Sequence, residues 1–295
     1  MLTLETLAGL LENHRAAASA RVREFSIGGK KFSFNSRPAV MGVVNLSADS
    51  WYRESVCLSA EAAIQRGRTL TAQGADIIDV GAESTLAHAA RAGGTAQKSK
   101  LLPVIEALRA EKILVSVETY SPVVIRACLE AGANVLNLTG TRASERIYRL
   151  VAAHEAAVII CFVAGRNVRE AGDLDLRADP IPMLRDFFAR QIDLAQRSGV
   201  EKIFLDPGLG FYYRNLQDSA VRVRHQMNVF LNTFRLRELG YPICHALPHA
   251  FDFFREEVRT AEPFFAVLAA LGKTALFRTH EVPRVKAVLE TLKVY

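Results

Sequence analysis

Acids, amides and cations gather where apolar runs of this chain end. The runs close as Asp76-Ile77-Ile78-Asp79-Val80-Gly81-Ala82-Glu83-Ser84-Thr85, Val115-Ser116-Val117-Glu118-Thr119, Val135-Leu136-Asn137, Phe204-Leu205-Asp206-Pro207-Gly208 and Leu276-Phe277-Arg278-Thr279-His280. Glu118, Asn137 and Asp206 make an acceptor-rich set suited to the donor edge of an aminopyrimidine ring, because a carboxylate can accept two N–H groups at once. A buried carboxylate is costly without donors, so such a set wants a donating ligand or internal pairing with arginines or backbone N–H groups. Phe211 adds an aromatic face after Asp206, and the glycines at 208 and 210 permit close backbone approach. Arg278 and His280 flank Thr279, and strand alternation puts both on one side, where they can grip an anion or pair with a neighbouring acid. Asn45, followed by Asp49 and Ser50, offers oxygen donors for Mg²⁺ near a phosphate, or a turn held by its own side chains.

Cys244, His245 and His249 form a possible metal set. Pro248 breaks the helix that would align the two histidines, so they read instead as polar residues lining a mouth. No G-x-S-x-G, H-E-x-x-H or P-loop occurs, which leaves serine hydrolase, zincin and ATPase readings without support.

Elements must carry these groups to one place. Apolar runs at 39–44, 76–80, 113–117, 134–137, 157–162, 203–206, 242–245 and 274–277 alternate with segments of helical spacing, such as Ala60-Ala63-Ile64-Gly67-Leu70. Eight βα units predict a parallel sheet closed into a (β/α)8 TIM barrel, whose active site is built at the C-terminal ends of the strands. An open doubly wound sheet is the alternative, but no G-x-G-x-x-G follows a strand. Gly74, Gly132, Gly199, Gly240 and Gly272 fall where helix ends need left-handed backbone. Residues 25–34 read as a hairpin turning at Gly28-Gly29, and leucines 2, 4, 7, 10 and 11 as an amphipathic N-terminal helix packed on the body. The division expected is a helical extension over 1–23 and one barrel over 24–295, with 46–59 and 84–98 as mobile loops over the mouth.

The chain has 295 residues, half of them apolar, enough for a full core without a membrane-length apolar run. Cys57, Cys128, Cys161 and Cys244 are widely spaced, which argues against a disulfide framework or zinc ribbon. Acids at Glu5 and Glu12 and the absence of a basic-then-apolar leader pattern make the expected location cytoplasmic. The net charge of +6 favours anionic partners. The denser basic stretch at Arg222, Arg224, Arg235 and Arg237 reads as a solvated helix face rather than a phosphate- or nucleic-acid-binding site.

The strand-end motifs resemble those of the dihydropteroate synthase family. Met41-Gly42-Val43-Val44-Asn45-Leu46-Ser47-Ala48-Asp49-Ser50 is similar to the family's M-G-I-[LV]-N-x-T-P-D-S-F, and Ile77 to Thr85 to I-[IL]-D-[IV]-G-G-E-S-T. Ser116-Val117-Glu118-Thr119-Tyr120, Asn137, Leu205 to Phe211 and Arg278-Thr279-His280-Glu281-Val282 match four further motifs in order. The resemblance implies a pterin-binding barrel in which 6-hydroxymethyl-7,8-dihydropterin diphosphate loses pyrophosphate to an arylamine, 4-aminobenzoate in the family. It implies Asn45 as a Mg²⁺ ligand, with Asn45, Arg278 and His280 as the catalytic, diphosphate-holding group. It further implies pterin binding by Glu118, Asn137 and Asp206, and a homodimer; Asp79, Thr85, Phe211, His245 and His249 are expected to complete the substrate-binding surface.

The departures lie on the arylamine side. Where the family carries G-x-S-R-K, this chain reads Cys244-His245-Ala246-Leu247-Pro248-His249-Ala250-Phe251, and S-T-R-P-G becomes Ser84-Thr85-Leu86-Ala87-His88. The pterin aspartate is Glu118, one methylene longer. The expected activity is therefore a synthase-like transfer to 4-aminobenzoate or a larger substituted aniline. A pterin-dependent methyltransferase and a non-catalytic pterin-binding paralogue are the alternatives.

Overall fold

The computed structural model describes residues 1–47, 49, 52, 55–84, 92–141, 144–176, 179–211 and 213–294. A two-stranded antiparallel hairpin, β1 (Ser26–Ile27) and β2 (Lys30–Lys31), precedes eight parallel strands. These are β3 (Ala39–Asn45), β4 (Ile77–Gly81), β5 (Val115–Thr119), β6 (Val135–Leu138), β7 (Ala157–Cys161), β8 (Ile203–Asp206), β9 (Cys244–Ala246) and β10 (Leu276–Thr279). Neighbours pair in chain order from β3 to β8, and β10 pairs with both β3 and β9. A parallel bridge from Leu205 to Ile243 closes the ring between β8 and β9. The expected strands lie within two residues of those observed.

Each barrel strand leads to a helix that packs on its outer face: α3 (Ala60–Ala72), α4 (Gly94–Ala110), α5 (Pro122–Glu130), α6 (Ser144–Ala153), α7 (Ile181–Arg197), α8 (Ser219–Asn232), α10 (Ala261–Leu271) and α11 (Val282–Leu292). Among the described residues, three α-helices lie outside this alternation: α1 (Leu4–Asn13), α2 (Arg15–Ser19) and the single turn α9 (Phe251–Phe254). Ser59 caps α3 by accepting from the Ala62 amide at 3.1 Å, and Pro122 opens α5, where no N–H is needed.

Strand alternation separates two apolar layers. Val40, Val44, Ile78, Val80, Val117, Leu136, Val158, Ile160, Ile203 and Leu205 pack outward against the helices. Met41, Ile77, Val135, Ile159, Phe204, Cys244 and Leu276 fill the barrel interior. Hairpin residues close its lower end: Phe25 and Phe34 each meet Phe204 edge-on at 5.2 Å between ring centres. The lower interior is therefore apolar, and the polar inward side chains begin above it with Ser116 and Asp79.

Three details depart from the sequence expectations. Helix α1 forms but buries none of its residues, so its leucines do not pack it firmly on the body. Gly272 is not left-handed; its φ is −77°, and a Cβ there would meet the Phe230 carbonyl oxygen at 1.8 Å, so close approach is what requires glycine. The four arginines do not share a solvated face. Arg237 is buried and donates to the carbonyls of Ala20 and Lys273, whereas Arg235 pairs with Asp179.

Candidate active site

The upper ends of the strands meet in one cavity. Asn45, Glu118, Asn137, Asp206, Phe211, His249, Arg278 and His280 all line it. Each barrel residue among them occupies an inward position of its strand, in register with the apolar plug below. Asp79 lies in the same layer, fully buried.

Arg278 crosses the barrel to two acids. Its Nε donates to Asp79 Oδ2 at 2.7 Å and its Nη2 to Glu118 Oε2. Asn137 Nδ2 donates to the same Asp79 oxygen at 3.1 Å, while its Oδ1 accepts from Cys161 Sγ at 3.3 Å, which fixes the amide's orientation. Asp79 Oδ1 is buried and has no hydrogen-bond partner among the described residues. Asp206 Oδ1 accepts from the Gly208 amide at 2.7 Å. Gly208 has φ +78°, and a Cβ there would stand 2.2 Å from the Phe162 carbonyl oxygen, so only glycine permits this turn.

Three buried carboxylates thus lie near one guanidinium, which bonds two of them, Asp79 and Glu118. Burial pushes Asp206 up to about 7, against the Gly208 hydrogen bond and Arg278. Burial also raises Glu118, with Arg278 opposing and Asp79 reinforcing the shift. Burial works against the charge on Arg278 but is outweighed by Glu118 and Asp79, which hold it above the usual range. The surplus of acid is a demand for donors that a ligand can meet.

The rim beside Arg278 is built differently. His280 Nδ1 lies 2.7 Å from Glu262 Oε1, and Glu262 is fully buried. Tyr52 stacks on His280 at 4.7 Å and on His249 at 4.9 Å, and its hydroxyl donates to Glu281. Asn45 Nδ2 donates to Ser55 Oγ at 2.6 Å, which makes the opposite end of the amide an oxygen donor of the kind Mg²⁺ accepts.

His245 does not belong to this site. Cys244 faces inward, so alternation turns His245 outward into the helix layer. There it is fully buried, bonds Thr233 Oγ1 at 2.7 Å and packs on Phe230, and burial pulls it down to about 3. Thr85 and residues 86–91 of the expected loop 84–98 lie outside the described residues, and residues 94–98 form the first turns of α4 instead of a loop. Sequence reasoning missed Glu262 and Tyr52. Glu262 had a signal, being an acid inside the apolar run Ala261 to Leu271.

The sequence profile described as pterin binding enzyme matches residues 41–246, which span β3 through β9. The chain belongs to the pterin-binding enzyme family. This pterin-binding enzyme is 32% identical over 226 residues to the dihydropteroate synthase of Synechocystis sp., covering 74% of this chain and 73% of the relative. It is 32% identical over 224 residues to that of Clostridium beijerinckii, covering 74% and 76%. Among solved structures, Xanthomonas albilineans dihydropteroate synthase with 4-aminobenzoic acid superposes with a TM-score of 0.77 at 26% identity, covering 92% of this chain and 98% of that one. The same enzyme in complex with 7,8-dihydropteroate gives 0.73 at 25% identity, covering 92% and 98%. The pterin-binding enzyme is a homologue of the dihydropteroate synthase transferases. No helix among its described residues is long and apolar enough to cross a membrane.

Proposed function

We propose that this enzyme joins 6-hydroxymethyl-7,8-dihydropterin diphosphate to an arylamine with release of pyrophosphate. The observation that carries the reading is the shared cavity of Asp206, Glu118 and Asn137 with Arg278, His280 and Asn45. The first three suit the donor edge of the ring, and the second three suit its diphosphate. The relatives that bind 4-aminobenzoate and 7,8-dihydropteroate on the same fold support it.

Asp206 and Glu118 accept from ring N–H groups, and Asn137, held rigid by Asp79 and Cys161, completes the edge. Arg278, already fixed by two carboxylates, faces the charge that builds as the diphosphate departs, so its electrostatic help needs no reorganisation at that moment. His280 is oriented by Glu262 toward the same group. Asn45 would hold Mg²⁺ through its amide oxygen, and the ion would supply positive charge against the leaving group. The methylene exposed by this departure is attacked by the acceptor amine, and the proton released goes to solvent or to a departing oxygen.

The acceptor side is read from what stands there. From Cys244 to Phe254 the chain supplies Leu247, Pro248, His249 and Phe251, and no lysine or arginine. That surface, with Arg222 of α8 lining the same cavity, suits the ring and carboxylate of 4-aminobenzoate or a larger substituted aniline. A pair of protomers is the assembly expected for such an enzyme. Calorimetry with 6-hydroxymethylpterin and with its diphosphate tests the two-ended site. The diphosphate should add affinity in a Mg²⁺-dependent way, and Arg278→Met should erase that increment while leaving ring binding measurable. Equal affinity for both ligands, with and without Mg²⁺, would contradict it.

A further inference from the structure

The geometry points to a second cation site at the cavity rim, a divalent transition-metal site of the zinc class formed by His249, Glu262 and His280. Their three donor atoms lie within 4.8 Å of one another. They come from separate elements: the turn after β9, the second residue of α10 and the residue after β10.

Glu262 has the form of a preset single-oxygen ligand. Its Oε2 is fastened by the Thr279 hydroxyl and by the backbone amides of His280 at 2.9 Å and Glu281 at 3.2 Å. Only Oε1 is turned toward the two imidazoles, 2.7 Å from His280 Nδ1 and 3.5 Å from His249 Nδ1. Burial opposes its ionisation, but His280, His249 and Thr279 together hold it below the usual carboxylate range. A charged carboxylate so deep in an apolar helix start is expensive unless a cation answers it.

His249 supplies the orphan. Its Nδ1 is buried with no hydrogen-bond partner among the described residues, although it is aimed at Glu262. The neighbouring Ala250 has φ +48°, a left-handed backbone that a non-glycine residue rarely adopts. Tyr52 stacks on both rings and fixes their planes.

Two imidazoles and one carboxylate suit Zn²⁺ and similar borderline ions rather than Mg²⁺, which takes oxygen ligands. Metal–ligand bonds of about 2.0–2.1 Å in a tetrahedron place donor atoms about 3.4 Å apart. The His249–Glu262 separation fits already. The His280–Glu262 pair must open by roughly 0.7 Å as the ion replaces their shared proton, which moves to the other ring nitrogen. Both histidines line the cavity, so the fourth position faces it and is open to water or a phosphate oxygen. The site stands without the transferase reading.

Titration of the full-length, chelator-treated protein with Co²⁺, followed by its visible absorption, tests the proposal. The expected result is one equivalent bound with an intense tetrahedral-type spectrum, displaced by one equivalent of Zn²⁺. His249→Ala should weaken Co²⁺ binding by more than about 100-fold, beyond the loss typical of removing an outer partner. His249→Gln, which keeps the size, should also lose the spectrum, and an unchanged melting curve would show that the fold persists. No saturable Co²⁺ binding, or a spectrum and affinity unaltered in both variants, would overturn it. Because the readout is spectroscopic, failure here is separable from failure of the transfer reaction.

Discussion

Arg278 reaches from β10 past β3 through the barrel interior: its Nε lies 2.7 Å from Asp79 Oδ2 on β4, and its Nη2 bonds Glu118 on β5. This bond pair fixes the cation beneath the rim and neutralises two of the three buried acids. Its removal strands both. Arg278→Met should cost about 3–5 kcal/mol in denaturant unfolding, as expected for breaking a buried ion pair from one side. Turnover should fall by about 10²–10³ in a pyrophosphate-release assay. Arg278→Lys should recover little, because a point charge cannot span both carboxylates.

Asp206 couples stability and binding to pH. Its folded value of about 7 lies above that of an unfolded aspartate, so the folded protein holds the extra proton between those limits. The stability this contributes is full below the unfolded value and is lost as pH rises through about 7. The ligand-free protein should therefore lose on the order of a few kcal/mol between acid and neutral pH from this group. Asp206→Asn should flatten that slope in melts across the range. Pterin affinity should run the opposite way, strengthening as Asp206 ionises and levelling above pH 7.

Glu118 is expected to accept from the ring while paired with Arg278. Glu118→Gln keeps the shape and removes the charge. Affinity for 6-hydroxymethylpterin, measured by calorimetry, should fall about 10–100-fold, the value of a hydrogen bond to a charged group.

His245 separates packing from chemistry. His245→Ala should destabilise the protein by about 2–4 kcal/mol, through a cavity beside Phe230 and an unpaired Thr233 hydroxyl. KM for both substrates should stay within about twofold, because the side chain faces the helices. A selective rise in KM would restore it to the binding surface.

The barrel was legible because buried parallel strands read as apolar runs, and because strand ends such as Asp206-Pro207-Gly208 break abruptly into turns. The ring-facing residues were legible for the same reason: Glu118, Asn137, Asp206 and Arg278 sit at inward positions near the C-terminal ends of their strands. His245 looks like a mouth residue from its place at a strand end, but inward Cys244 on β9 forces its neighbour outward. Glu262 comes from the start of a helix, and only the docking of α10 under the rim brings it to His280. The basic stretch misled because Arg237 spends its donors on buried carbonyls, a contact made between distant segments.

Pyrophosphate release from 6-hydroxymethyl-7,8-dihydropterin diphosphate, measured with Mg²⁺ and a panel running from 4-aminobenzoate to larger substituted anilines, bears most directly on the joining of a ring site to a diphosphate site. Release matched one-for-one by a pterin–arylamine product, for at least one acceptor, is the predicted result. Tight pterin binding with no release for any acceptor would contradict it.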